Sequence, residues 1–208
     1  MQKNSCCKPE YPWHGRGASA EITGCRFALY PMSDAYGVII TDALRQTDTG
    51  GVWAGTDALG TVYRGKLAHV VDAVQGLFAM AWRPGVHMAM EGQFSKGCPG
   101  DVDADAFLSV EERPVNFEKI SAIHFPVQCK IALYPLGAGD YMDQIAEVYR
   151  MAEQAGLHPA TTHYATRLWG DVQQVFAYFQ QVCEFVQQRA SHYILTFTLS
   201  VNSPTKER

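Results

Sequence analysis

Tyrosine, threonine, serine and aspartate side chains recur at matching places in the two halves of this 208-residue sequence. Tyr30 and Tyr134 each lie near the end of a short alternating pattern, on the side opposite its apolar residues. Further polar side chains surround a predicted central hairpin and the strands that close each half: Thr56, Asp57, Thr61, Ser95 and Ser200. Phenols, hydroxyls and a carboxylate can orient a heteroaromatic ligand in a mostly apolar cleft. The same groups serve as ordinary hydrogen-bond partners within sheets, and spacing alone favours this structural interpretation without excluding the first.

Other reactive residue types give weaker patterns. His87 and His192 share a repeat position but have no acid or cysteine at metal-ligand spacing, so we expect structural roles for them. Cys98 has Ser203 as its repeat counterpart and is interpreted as a turn residue rather than a nucleophile. The DVDAD run of 101–105 lacks the glycine and distal glutamate of a calcium loop and is expected to be a solvated linker. No phosphate-binding loop, nucleophile elbow or zinc-protease motif occurs.

An internal repeat predicts the architecture. CRFALYP at 25–31 matches CKIALYP at 129–135, with five of the seven residues identical. The offset between these two segments is 104 residues. At an offset of 105 residues, segment 51–65 aligns with 156–170 and segment 87–99 aligns with 192–204. Three separate segments that align at nearly the same offset indicate a tandem duplication of a unit of about eighty residues.

Each unit has the same predicted order of elements. An alternating strand (CRFALY) is followed by a helix that Ser33 and Asp34 could cap and that runs to about Gln46, with Asp140 in the capping place of the second unit. Two short strands come next, at 52–58 and 60–66 and again at 158–164 and 166–169, then an apolar helix and a closing strand at 87–95 or 192–201. The order βαββαβ predicts an α+β protein of tandem ferredoxin-like (ACT-like) repeats.

The predicted organisation is a loosely ordered tail at 1–20, a first repeat at 21–100, a linker at 101–128 and a second repeat at 129–208. Both helices of a repeat cover one face of its sheet, and the other face needs a cover. We therefore expect a homodimer.

Composition limits the classes of partner. The chain has 17 basic and 21 acidic residues, and the net charge of −4 argues against general binding of nucleic acid. No apolar run is long enough to cross a bilayer, and the first residues lack the apolar core of a secretory signal. The six cysteines form no CxxC pair and are expected to be reduced thiols, so we expect a cytoplasmic location.

Several segments together resemble the YkoF-like family of thiamin- and hydroxymethylpyrimidine-binding proteins. They are RFALYPMSDAY, the Thr-Asp of GVWAGTDALGTVYRG, FSKGCPGD, IALYPL, DYM, HYA and LSVNSP, in the same order over about 24–206. The resemblance implies dimeric tandem ferredoxin-like repeats that bind thiamin or its pyrimidine moiety, without catalysis and without a cofactor beyond that ligand. It also implies a role in pyrimidine salvage and an association with a thiamin-precursor transport system.

Transferred by position, the resemblance implies a ligand site in each repeat. The first site comprises Tyr30, Thr56, Asp57, Thr61 and Ser95. The second site comprises Tyr134, His163, Tyr164, Thr166, Ser200 and Asn202. Because Asp57 corresponds to Thr162, the two sites should differ in affinity. If Asp57 accepts a hydrogen bond from the pyrimidine amine, its loss weakens the first site; if it only caps a turn, its loss lowers stability.

Two other functions fit the same predicted fold. An ACT-type module would sense an amino acid, but such modules usually have a glycine-containing turn after the first strand and usually accompany an enzyme domain. A ferredoxin-like enzyme of the dimeric-barrel type would need a haem ligand or a reactive polar cluster, and the sequence singles out neither.

Overall fold

The computed structural model describes residues 22–96 and 113–205. The first half contains β1 (Thr23–Pro31), α1 (Tyr36–Gln46), β2 (Trp53–Asp57), β3 (Gly60–Gly65), α2 (Leu67–Ala81) and β4 (Met88–Lys96). A short helix, α3 (Phe117–Ile120), precedes the second half. That half contains β5 (Pro126–Leu136), α4 (Tyr141–Gln154), β6 (Ala160–Thr162), β7 (Ala165–Asp171), α5 (Val172–Gln187) and β8 (His192–Val201). The predicted tandem βαββαβ order is confirmed.

All eight strands form one antiparallel sheet in the order β2-β3-β1-β4-β8-β5-β7-β6. Each half has the strand order of a ferredoxin-like unit. The halves are joined where the closing strands β4 and β8 pair along their whole length. Helices α1, α2, α4 and α5 pack on one face of this sheet. The opposite face, called the open face below, carries no helix from the described part of the chain.

Alternation along the strands separates the two faces. In β8 every second residue from Tyr193 to Val201 is buried against the helices, and the residues between them are only half-buried. Phe94 of β4, Phe179 of α5 and Phe197 of β8 form one aromatic cluster, with ring centroids 5.1 to 5.8 Å apart. The two repeats therefore share a hydrophobic core across their junction.

Gly92 allows the close packing at this junction. A Cβ at Gly92 would lie 2.6 Å from Cζ of Phe197 and 2.8 Å from Cβ of Phe27, so no larger residue fits without displacing the aromatic cluster. The register pairs Gly92 with both of these residues, in β1 on one side and in β8 on the other.

The start of α5 is explained by side-chain capping, but the starts of α1 and α4 are not. Asp171 and Gln174 form a capping box at the start of α5. The capping predicted for α1 is wrong, because the helix begins at Tyr36 behind Ala35, and Ser33 accepts a hydrogen bond from the Ala35 N–H instead. Asp140 does lie at the start of α4, but its carboxylate accepts from the side chain of Gln144 rather than capping a backbone N–H.

The segment before β5 is anchored to the first repeat. Asn116 is fully buried, and its side chain donates to Asp72 Oδ2 at 2.8 Å and to the carbonyl of Asp48 at 2.9 Å. Its Oδ1 accepts from the Asp48 N–H at 2.7 Å. Strand β5 begins at Pro126, before the boundary predicted at Cys129. The predicted tail, Cys98 and the DVDAD run lie outside the described residues.

Candidate ligand-binding sites

Each predicted site contains residues from both faces of the sheet. Strand register places Thr61 beside Phe27 and Thr166 beside Ile131, on the face that carries the helices. Tyr30, Ser95, Tyr134 and Ser200 alternate with buried residues and belong to the open face. Asp57 belongs to the same face because it binds Arg26 there. Along the sheet, Tyr30 and Ser95 are about 20 Å apart, as are Tyr134 and Ser200, because six residues of strand separate each pair. The predicted residues therefore do not form a single pocket in either repeat.

One part of the second set does converge, in a cleft between the end of β5, the first turns of α4 and the β6–β7 hairpin. This tyrosine cleft has a volume of about 550 Å³. Its lining includes three tyrosines and three threonines: Tyr134, Tyr141, Tyr164, Thr161, Thr162 and Thr166. Tyr134 and Thr162 belong to the open face by alternation and register, so Thr161 and Thr166 supply the strand hydroxyls on the helix side. Leu133, Ile145 and Val148 supply apolar wall. None of the described residues that line the cleft carries a charge.

The three tyrosines present much of their surface to solvent. Their exposed fractions are 50% for Tyr134, 51% for Tyr141 and 98% for Tyr164. Tyr164 lies in the hairpin turn with φ +66°, a left-handed conformation that is costly for a residue with a bulky side chain. The neighbouring His163 is exposed and lies with its ring 6.2 Å from that of Tyr164. A strained, fully exposed aromatic residue at a cleft is typical of a functional position.

Three polar residues that line the tyrosine cleft were not among the predicted ligand residues: Tyr141, Thr161 and Thr162. The sequence contains a signal for the first two. Tyr141 is the first residue of α4, and Tyr36 is the first residue of α1. Thr161 pairs directly with Thr166, as Thr56 pairs with Thr61 in the first repeat. Tyr141 and Thr161 thus each have a repeat counterpart of the same type, and the comparison of repeats could have identified them.

The equivalent place in the first repeat has a different set of contacts. The hydroxyls of Thr56 and Thr61 lie 3.1 Å apart, within hydrogen-bond distance. The Tyr30 hydroxyl donates to Glu91 at 2.8 Å, and this hydrogen bond to a carboxylate raises the pKa of Tyr30 above its ordinary value. Leu59 stands where the second repeat has Tyr164, so this repeat offers one aromatic ring fewer.

The carboxylate of Asp57 is engaged within its own repeat. It accepts two hydrogen bonds from Arg26, at 2.7 and 2.8 Å, and others from the N–H groups of Leu59 and Gly60 in the turn. The Arg26 guanidinium is the main cause that holds the pKa of Asp57 below its ordinary value, and the turn N–H of Leu59 adds to the effect. These contacts support the turn role for Asp57 that the sequence left as the alternative.

Ser200 and Asn202 belong to the far end of the second repeat. The Ser200 hydroxyl lies 3.1 Å from Nε2 of His87, which gives this histidine a structural partner. Asn202 has φ +52° and donates from its side chain to the carbonyls of Arg83 and Val86, at 3.1 and 2.9 Å. Through these contacts, Ser200 and Asn202 join the end of β8 to the loop before β4. The hydroxyl of Ser95, the repeat counterpart of Ser200, is buried without a hydrogen-bond partner among the described residues.

Ser200 and Asn202 also line a second depression, called the open-face groove below. Its volume is about 660 Å³, and residues of β5, β7 and β8 form most of it. Lys130 and Arg167 are among its lining residues, so this groove, unlike the tyrosine cleft, is cationic.

Two further observations concern metals and membranes. Within residues 22–96 and 113–205, no three histidine, cysteine or acidic side chains come together as a metal site would require. None of the helices described combines the length and the apolar character needed to cross a bilayer.

Comparison with known proteins gives two matches. A sequence model of the YKOF-related family matches residues 22–101 and again residues 126–206, which are the two repeats of the fold. A protein of Bacillus subtilis (strain 168), named "Putative HMP/thiamine-binding protein YkoF", is 38% identical over 189 residues. The match covers 91% of this chain and 94% of that protein.

Proposed function

Because the chain belongs to the YKOF-related family, as its sequence motifs predicted, we propose that it binds thiamin and hydroxymethylpyrimidine. The tyrosine cleft of the second repeat is the principal site, and the equivalent place in the first repeat is a second site of different affinity. The proposal rests chiefly on the cleft that Tyr141, Tyr164 and Thr166 line and in which no described lining residue is charged. Its size lies within the range of pockets for small organic ligands.

The chemistry of the tyrosine cleft suits both rings of thiamin. An aminopyrimidine has ring-nitrogen acceptors and an amine donor, and the hydroxyls of Thr161 and Thr166 can donate or accept. Tyrosine rings can stack on a heterocycle. The thiazolium of thiamin is a cation, and the faces of aromatic rings attract cations.

Charge also distinguishes the cleft from the open-face groove. Lys130 and Arg167 would repel the thiazolium from the groove, where they lie on adjacent strands. Among the described residues, none that lines the tyrosine cleft is a cation. This difference is why we assign thiamin to the cleft, even though Ser200 and Asn202 of the groove were in the predicted site.

The two sites should differ because their lining differs. Tyr36, Thr56 and Thr61 provide the first repeat with a phenol and two hydroxyls, but Leu59 stands in place of the aromatic ring of Tyr164. We therefore expect the first site to bind thiamin more weakly than the second.

The proposed role is binding without catalysis. The described thiols are poor candidates for a nucleophile, because burial raises the pKa of Cys25, Cys129 and Cys183. We further propose that the protein is a cytoplasmic homodimer whose open faces pack together and that it serves pyrimidine salvage beside a thiamin-precursor transporter. The family membership supports this assignment, and the sheet face without a helix gives the dimer its surface.

Calorimetric titration tests the binding proposal. We expect thiamin and hydroxymethylpyrimidine to bind with two unequal sites per chain, and a panel of amino acids to give no heat. Binding of an amino acid without thiamin would instead support an ACT-type sensor. Sedimentation equilibrium at micromolar concentration tests the dimer separately, and a monomeric mass would contradict it.

A further inference from the structure

A pair of cations stands out on the open face. The register pairs Lys130 of β5 directly with Arg167 of β7, and alternation places both side chains on the open face. Directly opposed residues of an antiparallel pair have Cβ atoms about 4.5 to 5.5 Å apart, and like charges in such positions destabilise a sheet. A ligand with negative charge would offset this repulsion.

The first repeat shows how such a cation is ordinarily neutralised. Arg26 is the repeat counterpart of Lys130, but its cross-strand neighbour is Val62, and Asp57 binds its guanidinium at 2.7 Å. In the second repeat Arg167 replaces the valine and Thr162 replaces the aspartate. The two changes remove the carboxylate and place a second cation opposite Lys130. The Lys130 ammonium forms no hydrogen bond or ion pair with any residue in the described ranges.

The cations lie in a depression that can hold a ligand. The open-face groove, with a volume of about 660 Å³, is lined by Lys130 and Arg167 together with neutral donors such as Thr198 and Ser200. Its described lining contains no acidic residue. Glu91, which is in the same cross-sheet row but two strands from Lys130, accepts the hydrogen bond from Tyr30.

Two more residues of the groove could contact a ligand, one through a hydrogen bond and one through an aromatic ring. The side-chain oxygen of Gln128 is buried and has no partner among the described residues, so a ligand donor would satisfy it. Trp169 is 44% exposed and stacks on His158 with ring centroids 4.3 Å apart. The rim therefore offers a supported aromatic surface beside the cations.

We propose that the open-face groove of the second repeat binds the phosphate group of a small molecule through Lys130 and Arg167. The described residues that line the groove do not line the tyrosine cleft, so we treat this site as separate from the proposed thiamin site. A dimer formed through the open faces would enclose the groove and strengthen the attraction by excluding water.

Titration with inorganic phosphate tests the proposal, in a phosphate-free buffer and against sodium chloride of equal ionic strength. We expect phosphate to bind the wild-type protein and to raise its melting temperature. Lys130→Gln and Arg167→Val should each weaken binding roughly tenfold to hundredfold. Thr162→Asp, which restores the carboxylate of the first repeat beside Lys130, should weaken it as well. Lys119→Gln removes an exposed cation of α3 outside the groove and should leave binding unchanged.

A second readout separates a binding site from a general charge effect. Without phosphate, Lys130→Gln removes the repulsion between the cations and should raise the melting temperature by about 1 to 3 °C. With saturating phosphate this advantage should disappear. Phenyl phosphate provides a further arm: tighter binding than inorganic phosphate indicates an aromatic phosphate ester that uses Trp169, and equal binding indicates that the phosphate group alone is recognised.

Three results would overturn the proposal. The first is a wild-type protein that millimolar phosphate leaves unaffected, and the second is an equal effect of phosphate on Lys130→Gln and on the Lys119→Gln control. The third is a fall in sedimentation mass from dimer to monomer in the cation variants while phosphate has no effect, which would assign the pair to a subunit contact. Thiamin titration of the same samples keeps these outcomes separate from failure of the thiamin proposal.

Discussion

Replacing Tyr164 by glycine should change stability and ligand binding in opposite directions. Tyr164 is 98% exposed, so its side chain contributes little buried surface to the fold. Its φ of +66° is costly for tyrosine and free for glycine. Relief of about 1 kcal/mol of backbone strain is partly offset by the greater freedom of glycine in the unfolded chain. The melting temperature of Tyr164→Gly should therefore stay constant or rise by at most about 3 °C.

The same substitution should weaken thiamin binding at the second site. Loss of ring stacking costs about 0.5 to 1.5 kcal/mol, and loss of the attraction between the ring face and the thiazolium costs a similar amount. Together these terms predict a reduction in affinity of roughly fivefold to hundredfold. Calorimetry gives the affinity, and thermal unfolding of the same sample without ligand gives the stability.

Two matched variants complete the experiment. Tyr164→Phe keeps the ring and should keep most of the affinity. Tyr164→Leu introduces the residue that the first repeat has at Leu59, so the second site should come to resemble the first. A lower melting temperature with unchanged thiamin affinity would refute the reasoning, because Tyr164 would then be only a structural residue of the turn.

Asp57→Ala should lower the melting temperature near neutral pH while thiamin affinity is retained. Since the folded-state pKa of Asp57 lies below its ordinary value of 3.8, this contribution is present above that value and is lost as the pH falls through the folded-state pKa. Melting curves between pH 7 and the acid range check this sign, and a constant difference at all pH values would contradict it. Asn116→Ala should lower the free energy of unfolding by about 2 to 4 kcal/mol, measured in urea, because it leaves the buried Asp72 with a lost hydrogen bond. Burial raises the pKa of Cys183 to about 12, so this thiol should react with a disulfide reagent only after unfolding, and rapid reaction in the native state would show that it is accessible.

The sequence predicts most of the fold because two periodic signals agree in both halves. The offset between CRFALYP and CKIALYP reveals the duplication, and alternation along the strands is sufficient to identify the buried face of the sheet. Strand alternation depends only on backbone geometry, so it transfers directly to the folded protein. The pairing of β4 with β8, in contrast, joins the edge strands of two repeats that are far apart in sequence, and no local pattern indicates it.

The sites are harder to predict because they depend on register as well as on residue type. Tyr134 and Ser200 both face away from the helices, but six residues of strand separate their positions along the sheet. Asp57 resembles a ligand contact until the structure places Arg26 within hydrogen-bond distance of it across β3. Tyr141 carries its own signal as a repeated tyrosine at the start of a helix, but its role in the cleft depends on how α4 approaches the hairpin.

A crystal structure of the thiamin complex tests the central claim most directly. We expect the pyrimidine ring in the tyrosine cleft, within contact distance of Tyr141 and Tyr164 and within hydrogen-bond distance of a threonine hydroxyl such as that of Thr166. We also expect lower occupancy near Tyr36 and Thr61 at limiting ligand concentration. Thiamin bound instead on the open face, against Lys130 and Arg167, would contradict the account.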